Sequence, residues 1–317
     1  MNLNFAQIIK LLHEQKRRKR IAVVCPEDEH TEHVILRCLS EGIADFILFT
    51  TQGEEKRKSA AHINWLYPEN THIISSSTPE EAACLAVDYI RRKEADVLMK
   101  GTINTDTLLR AVIDKEKGLL PPDGILSHVT AAQMPAYHKM ILFSDAAVIP
   151  APDLRQMQAI LRHTLGICRR LGIGHPHVAL THCNEKTNEK FPHTLIYKQL
   201  KQQAAEGVYG KAEVDGPMDV KTACDRQSGI VKGIYSTVAG NADILIFPNI
   251  EAGNTFYKTI SLFAGADMAG MLTGTTAPVI LPSRADSDES KYYSVALACI
   301  AGGTEEQINI IKTQPHD

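Results

Sequence analysis

The sequence has no excess of charge of either sign. Lys and Arg total 34 against 37 Asp and Glu, a formal net charge of −3. A nucleic-acid or anionic-membrane surface shows itself as a basic excess, so neither partner is expected. No apolar run approaches the ~18 residues of a membrane span. The seven cysteines (Cys25, Cys38, Cys84, Cys168, Cys183, Cys224, Cys299) are odd in number, widely spaced and form no C-x-x-C. A disulfide framework is therefore not expected, and reduced thiols of a cytoplasmic protein are. Within Met1 to Arg20 the basic cluster follows the apolar residues, the reverse of a secretory signal. Three nucleotide and hydrolase signatures are also missing. There is no G-x-x-x-x-G-K-[ST], no G-x-G-x-x-G after the first apolar run, and no G-x-S-x-G. What remains is ordinary globular usage, 44% AVILMFWYC and 22% charged over 317 residues, a length that suits two α/β domains.

The pattern along the chain alternates short apolar runs with amphipathic stretches. Phe5, Ile8, Ile9 and Leu12 fall at i, i+3, i+4 and i+7, which predicts an opening helix with one buried face. The basic block Lys16 to Arg20 ends it, as cations at a helix C-terminus oppose the negative end of the dipole. Ile21 to Cys25 reads as a buried strand, Phe46 to Phe49 as another and Asp96 to Met99 as a third. Between them lie helices around Val34 to Leu39 and from Thr78 to about Arg92. Thr78-Pro79-Glu80-Glu81 is a helix start: an N-cap hydroxyl, proline at the first helical position, and Glu three residues after the cap. Strands separated by helices of this length predict parallel pairing. Pro150-Ala151-Pro152 precedes a long helix through Leu171 and reads as an interdomain crossing. Strands near Val178 to Leu180, Ile244 to Phe247 and Val279 to Leu281 follow, with helices between and after them.

Ligands of open parallel sheets bind beyond the carboxyl ends of the strands. That rule selects the loops at Lys100 to Asp106, Pro248 to Asn254 and Pro282 to Asp288. Each sets small, hydroxyl or amide residues beside a charge at a strand-to-helix turn. Asn104, Thr105, Asp286, Ser287 and Asp288 fit simple helix caps as well as ligand contacts, and Gly253 fits close helix packing. Arg284, a guanidinium beside a hydroxyl and just before a helix, suits bidentate capture of a phosphate or carboxylate. His175, His177 and His182 approach metal spacing, but no carboxylate is in register with them.

The stretch Val238 to Asn254, with Phe-Pro-Asn-Ile-Glu-Ala-Gly-Asn at its end, resembles the signature of the phosphate acetyltransferase/butyryltransferase family. The resemblance continues through Tyr257-Lys258, Phe263 to Ala266, Ala277-Pro278-Val279 and Ser283-Arg284-Ala285-Asp286-Ser287. Leu98-Met99-Lys100-Gly101, Thr105 with Leu109 to Val112, Leu126-Ser127-His128-Val129 and Asp215-Gly216-Pro217 are further blocks of the same kind. Lys100-Gly101, Ser127-His128 and Ser-Arg-Ala-Asp-Ser are in the style of the butyryl branch. In the acetyl branch an Asp usually stands seven residues after the serine of Ser-Arg; here that position is Ser290.

The resemblance implies reversible acyl transfer: acyl-CoA plus inorganic phosphate gives acyl phosphate plus free CoA. Arg284 and Lys100 would hold the phosphate, and Ser283 would help bind the oxyanion. The thiol, with a free pKa of about 8.5, needs a base, for which His128, Glu251 and Asp286 all remain candidates. Thr105, Ser127, Asn249, Glu251, Gly253 and Asn254 are the implied phosphate- and CoA-binding positions. No metal and no tightly bound cofactor is implied, with CoA and acyl-CoA acting as substrates. The implied fold is a two-domain α/β sandwich resembling isocitrate/isopropylmalate dehydrogenase. Residues 1–149 plus 277–317 would form one domain and 150–276 an inserted second, with the active-site cleft between them and a homodimer or larger assembly. The alternatives are a phosphate acetyltransferase, a metal- and NAD-dependent decarboxylating dehydrogenase of the same fold, and a CoA-ester-binding protein with little turnover.

Overall fold

The computed structural model of the chain describes residues 3–15, 17–283 and 286–302. In chain order the elements begin α1 (Phe5–His13), β1 (Lys19–Val24), α2 (Glu29–Ser40), β2 (Ala44–Thr51), α3 (Glu54–Leu66), β3 (Thr71–Ser76), α4 (Pro79–Arg91), β4 (Val97–Lys100) and α5 (Thr105–Val112). They continue with β5 (Ser127–Gln133), β6 (Ile141–Ser144), α6 (Leu154–Arg170), β7 (His177–Thr181), α7 (Pro192–Ala205), β8 (Glu213–Met218), α8 (Val220–Cys224) and α9 (Arg226–Val231). The chain then forms β9 (Ile244–Ile246), α10 (Ile250–Phe263), β10 (Asp267–Thr273), β11 (Val279–Ile280) and α11 (Asp288–Ala301).

Among the described residues, Phe5–Gly124 with 269–302 make one unit, and Ile125–Met268 with residues 3–4 make the other. In the first unit the strand order is β3-β2-β1-β4-β11-β10, parallel except for β10 against β11. Ile21 to Val24 are fully buried because a parallel strand is covered on both faces, which is why they read as an unbroken apolar run. On α1 the buried face is Phe5, Ile8, Leu11 and Leu12, and Phe5 stacks on Tyr293 at 4.2 Å. Thr78 caps α4 by accepting the Glu81 N–H at 3.2 Å. The Glu81 carboxylate reaches back one residue further than expected, to the Ser77 N–H.

In the second unit the order is β5-β6-β9-β7-β8, with β5 antiparallel to β6 and the rest parallel. The overall class is therefore α/β with mixed sheet pairing, as expected. The boundaries are not those expected. β6 pairs with β9 (Leu142↔Ile244), so residues 125–149 are bonded into the second unit, and the crossing is at Gly124–Ile125 rather than Pro150. Pro150 and Pro152 instead lead into Asp153, which caps α6 in a reciprocal box with Gln156. The return lies at Met268–Ala269 rather than residue 277, because Leu272 of β10 pairs with Val279 of β11.

A buried ion pair stands just ahead of β9. Lys139 Nζ lies 2.6 Å from Asp243 Oδ1 and also donates to the Asn241 carbonyl at 2.7 Å. Asp243 Oδ2 accepts the His177 N–H at 2.8 Å. His177 is thus a partner of this carboxylate. His182 lies against His193 at 3.0 Å, and among the described residues no three His, Cys, Asp or Glu are grouped to hold a metal.

Cys25, Cys38, Cys168 and Cys299 are buried, while Cys84 and Cys183 are exposed. Burial pushes Cys38 well above the usual thiol range and Cys299 and half-buried Cys224 up to about 12, so these stay protonated and unreactive near neutrality. Native protein is expected to give a fast reaction of the two exposed thiols with a disulfide reagent, and of all seven only in denaturant. Four or more fast thiols in native protein would contradict this burial pattern.

Candidate active site

In the first unit β1, β4 and β11 are parallel neighbours, with Val24 opposite Lys100 and Ile280 opposite Met99. Their following loops therefore gather at one edge, where loop amides and helix N-termini converge. Gly101 makes this approach possible. Its N–H donates to the Val24 carbonyl at 2.9 Å, and a Cβ there would lie 2.1 Å from the Cys25 carbonyl oxygen. Thr102 continues the seam, its N–H donating to Cys25 at 2.8 Å.

These loops enclose a cavity of about 310 Å³, lined by Asp28 and Thr31 at the start of α2, Lys100 and Thr102 after β4, Ser283 after β11, and Lys291 of α11. Lys100 is 8% exposed, and its Nζ makes a long hydrogen bond, 3.2 Å, to the Gly101 carbonyl. The Ser283 N–H donates to Asp286 Oδ2 at 2.7 Å, which braces the turn; Asp286 is placed as a loop former. Arg284 lies outside the described residues. Thr105 is the exposed first residue of α5, which Asn104 caps through the Asp106 N–H at 2.8 Å.

In the second unit the buried Asp145 carboxylate organises the other group. It accepts N–H donors from Ala147 at 2.8 Å, Val148 at 3.0 Å and His128 at 3.2 Å. Gly253 packs on this turn, and a Cβ there would lie 2.1 Å from the Asp145 carbonyl oxygen. Asn254 donates to the Ala146 carbonyl at 3.0 Å, so it ties α10 to the same turn. Asn249 caps α10 by accepting the Ala252 N–H at 2.9 Å, and Glu251 is exposed in its first turn. The His128 ring is half-buried with Nδ1 3.3 Å from the Thr130 hydroxyl.

Ser127 departs from expectation. It is fully buried, and its hydroxyl sits 2.8 Å from His163 Nδ1. Burial first, and Arg162 second, lower the His163 pKa, so that imidazole is neutral at pH 7. Ser127 thus anchors β5 to α6.

The structure places Lys100 and Ser283 on one cavity and gathers His128, Gly253 and Asn254 around Asp145. Sequence reasoning missed Lys291 and Asp145. Lys291 carries a signal: it shares a helical face with Val295 and Ala298, both fully buried, so it lies in register with the core stripe. Asp145 precedes Ala146-Ala147 after an apolar run, and nothing in that pattern separates it from a loop aspartate.

A family model described as "Phosphate acetyl/butaryl transferase" matches residues 69–299. The phosphate butyryltransferase of Clostridium acetobutylicum is 33% identical over 302 residues, covering 95% of this chain and 99% of its own. The phosphate acetyltransferase of Thermotoga maritima is 34% identical over 284 residues, 89% of this chain and 95% of its own. Among solved structures, a branched-chain phosphotransacylase from Enterococcus faecalis V583 superposes with a TM-score of 0.79 at 29% identity, covering 90% of this chain and 99% of that one.

Proposed function

The chain belongs to the phosphate acetyltransferase/butyryltransferase family, and from that premise we propose that it catalyses reversible transfer of a short acyl group, of the butyryl kind, between CoA and inorganic phosphate. The observation that carries the site assignment is the cavity where a buried lysine and the Ser283 turn meet at the ends of β4 and β11. Phosphate held there by Lys100 and Arg284 is a positioned nucleophile, which removes much of the entropic cost of a two-substrate encounter. A phosphate oxygen attacks the thioester carbonyl, the C–O bond forms, and the carbonyl electrons pass to the oxyanion. Ser283 donates a hydrogen bond to that oxyanion, whose collapse breaks the C–S bond and releases CoA as thiolate, which then takes up a proton. In reverse the thiol proton goes to a base, for which His128, Glu251 and Asp286 are the candidates.

The proposal includes no tightly bound cofactor, a cytoplasmic setting, a homodimer or larger assembly, and the isocitrate/isopropylmalate dehydrogenase-like arrangement. Butyryl and acetyl differ by two methylenes, each worth about 1–3 kcal/mol of discrimination, so relatives bearing both names are chemically close. The test is release of thiol from acetyl-, propionyl-, butyryl- and branched acyl-CoA with and without phosphate. The expected result is phosphate-dependent release, fastest with butyryl-CoA, and a phosphate KM raised at least about tenfold in Arg284→Ala, as loss of a bidentate partner implies. Release from none of the four would overturn the proposal, and CoA binding without turnover would favour a binding protein instead.

A further inference from the structure

Lys291 is 6% exposed, yet among the described residues its ammonium has neither a carboxylate within ion-pair distance nor a hydrogen-bond acceptor. Its stem is buried while the ammonium keeps access to solvent, as long basic side chains do. Here it opens on the same cavity as Lys100 and Ser283. The charged and titratable groups lining that cavity are Asp28, His30, Lys100 and Lys291. Asp28 is already consumed as the α2 cap, one oxygen accepting the Thr31 N–H at 2.9 Å and the other the Thr31 hydroxyl at 2.6 Å. The His30 ring is turned to Asp288 at 2.8 Å. Lys291 therefore shares the cavity with Lys100 and with one lining carboxylate held by Thr31, at the N-terminal end of α2, where the helix dipole adds positive potential.

We infer that Lys291 is a phosphoryl-binding residue. Its ammonium pairs with non-bridging oxygens of the phosphate that Lys100 contacts, inorganic phosphate in one direction and the phosphoryl group of acyl phosphate in the other. The inference rests on the acyl-transfer reading for the identity of the substrate, and on the cavity alone for the anion site. The phosphate groups of CoA share the same chemistry, so the test separates the two sources. Lysine acts on phosphate as a point charge, so arginine at this position retains the charge while methionine keeps only the stem.

The experiment compares wild type with Lys291→Met and Lys291→Arg in two ways: steady-state kinetics with butyryl-CoA and phosphate varied separately, and thermal midpoints with inorganic phosphate as the only added ligand. Lys291→Met is expected to raise the phosphate KM about 10–100-fold, with the butyryl-CoA KM within twofold, and Lys291→Arg to recover most of the loss. In phosphate-free buffer Lys291→Met is expected to melt no lower than wild type, because methionine keeps the buried stem and the ammonium makes no hydrogen bond or ion pair among the described residues. It is also expected to lose the phosphate-dependent rise in midpoint that wild type shows. An unchanged phosphate KM with an undiminished rise would overturn the inference while leaving acyl transfer standing. A raised butyryl-CoA KM with an unchanged phosphate KM would overturn it in favour of a CoA phosphate. Wild type that is stabilised by phosphate through Lys291 but releases no thiol would uphold the anion site and overturn the acyl-transfer reading.

Discussion

Replacement of Ser283 by alanine is expected to lower kcat about 10²–10³-fold, or roughly 3–4 kcal/mol of transition-state stabilisation, the usual loss for one oxyanion donor. The expectation follows from how the residue is held. Ser283 follows β11, which pairs with the buried β4, and its backbone N–H donates to Asp286 Oδ2 at 2.7 Å. A donor aimed at charge that exists only in the transition state changes kcat, whereas groups that hold phosphate in the ground state change KM. Steady-state kinetics of Ser283→Ala should therefore show both Michaelis constants within about threefold of wild type. Ser283→Thr, which keeps a hydroxyl, should recover part of the rate. A fall in kcat of less than about fivefold would remove Ser283 from the oxyanion role.

The largest effect on stability is expected at Asp243, in the second unit. Asp243→Ala should cost about 3–5 kcal/mol, because it leaves the Lys139 ammonium buried with no carboxylate. Lys139 and Asp243 side chains are 4% and 3% exposed and 2.6 Å apart. The same substitution strips the His177 N–H of its acceptor. Lys139 follows β5, Asp243 precedes β9 and His177 opens β7, so the defect falls where adjacent strands start and is not confined to a loop. Urea unfolding should show a lowered midpoint. A double variant, Lys139→Met with Asp243→Leu, should regain much of the loss, since a buried pair replaced by apolar groups is often neutral. A loss below about 1 kcal/mol in Asp243→Ala would mean that the pair is solvated or that the chain relaxes around it.

Much of the first unit was legible because its physics is local. The β1 run is apolar since both faces of a parallel strand are covered, and Thr78-Pro79 with Glu81 declares the start of α4 in four residues. The second unit was less so. Ser127-His128-Val129-Thr130-Ala131-Ala132-Gln133 forms β5 with small and polar residues, and only its pairing with β6 makes it a strand. Without that pairing, Pro150-Ala151-Pro152 reads as the crossing. The site divides in the same way. Lys100 and Ser283 follow from the rule that loops after parallel strands bind ligands. Asp145 and the Lys139–Asp243 pair depend on partners brought together by the fold, the latter 104 residues apart. Ser127 shows the converse, as a hydroxyl chosen by motif whose partner His163 lies on a different element.

Where the acyl group goes decides the reaction. Native protein mixed with butyryl-CoA and inorganic phosphate can be followed by phosphorus NMR, with free CoA measured in the same sample. The expected result is an acyl phosphate signal that grows in a one-to-one ratio with free CoA and reverses when CoA is added in excess. Free CoA accompanied by butyrate and no acyl phosphate, at a rate indifferent to phosphate, would contradict it and make the cavity the site of a thioester hydrolase.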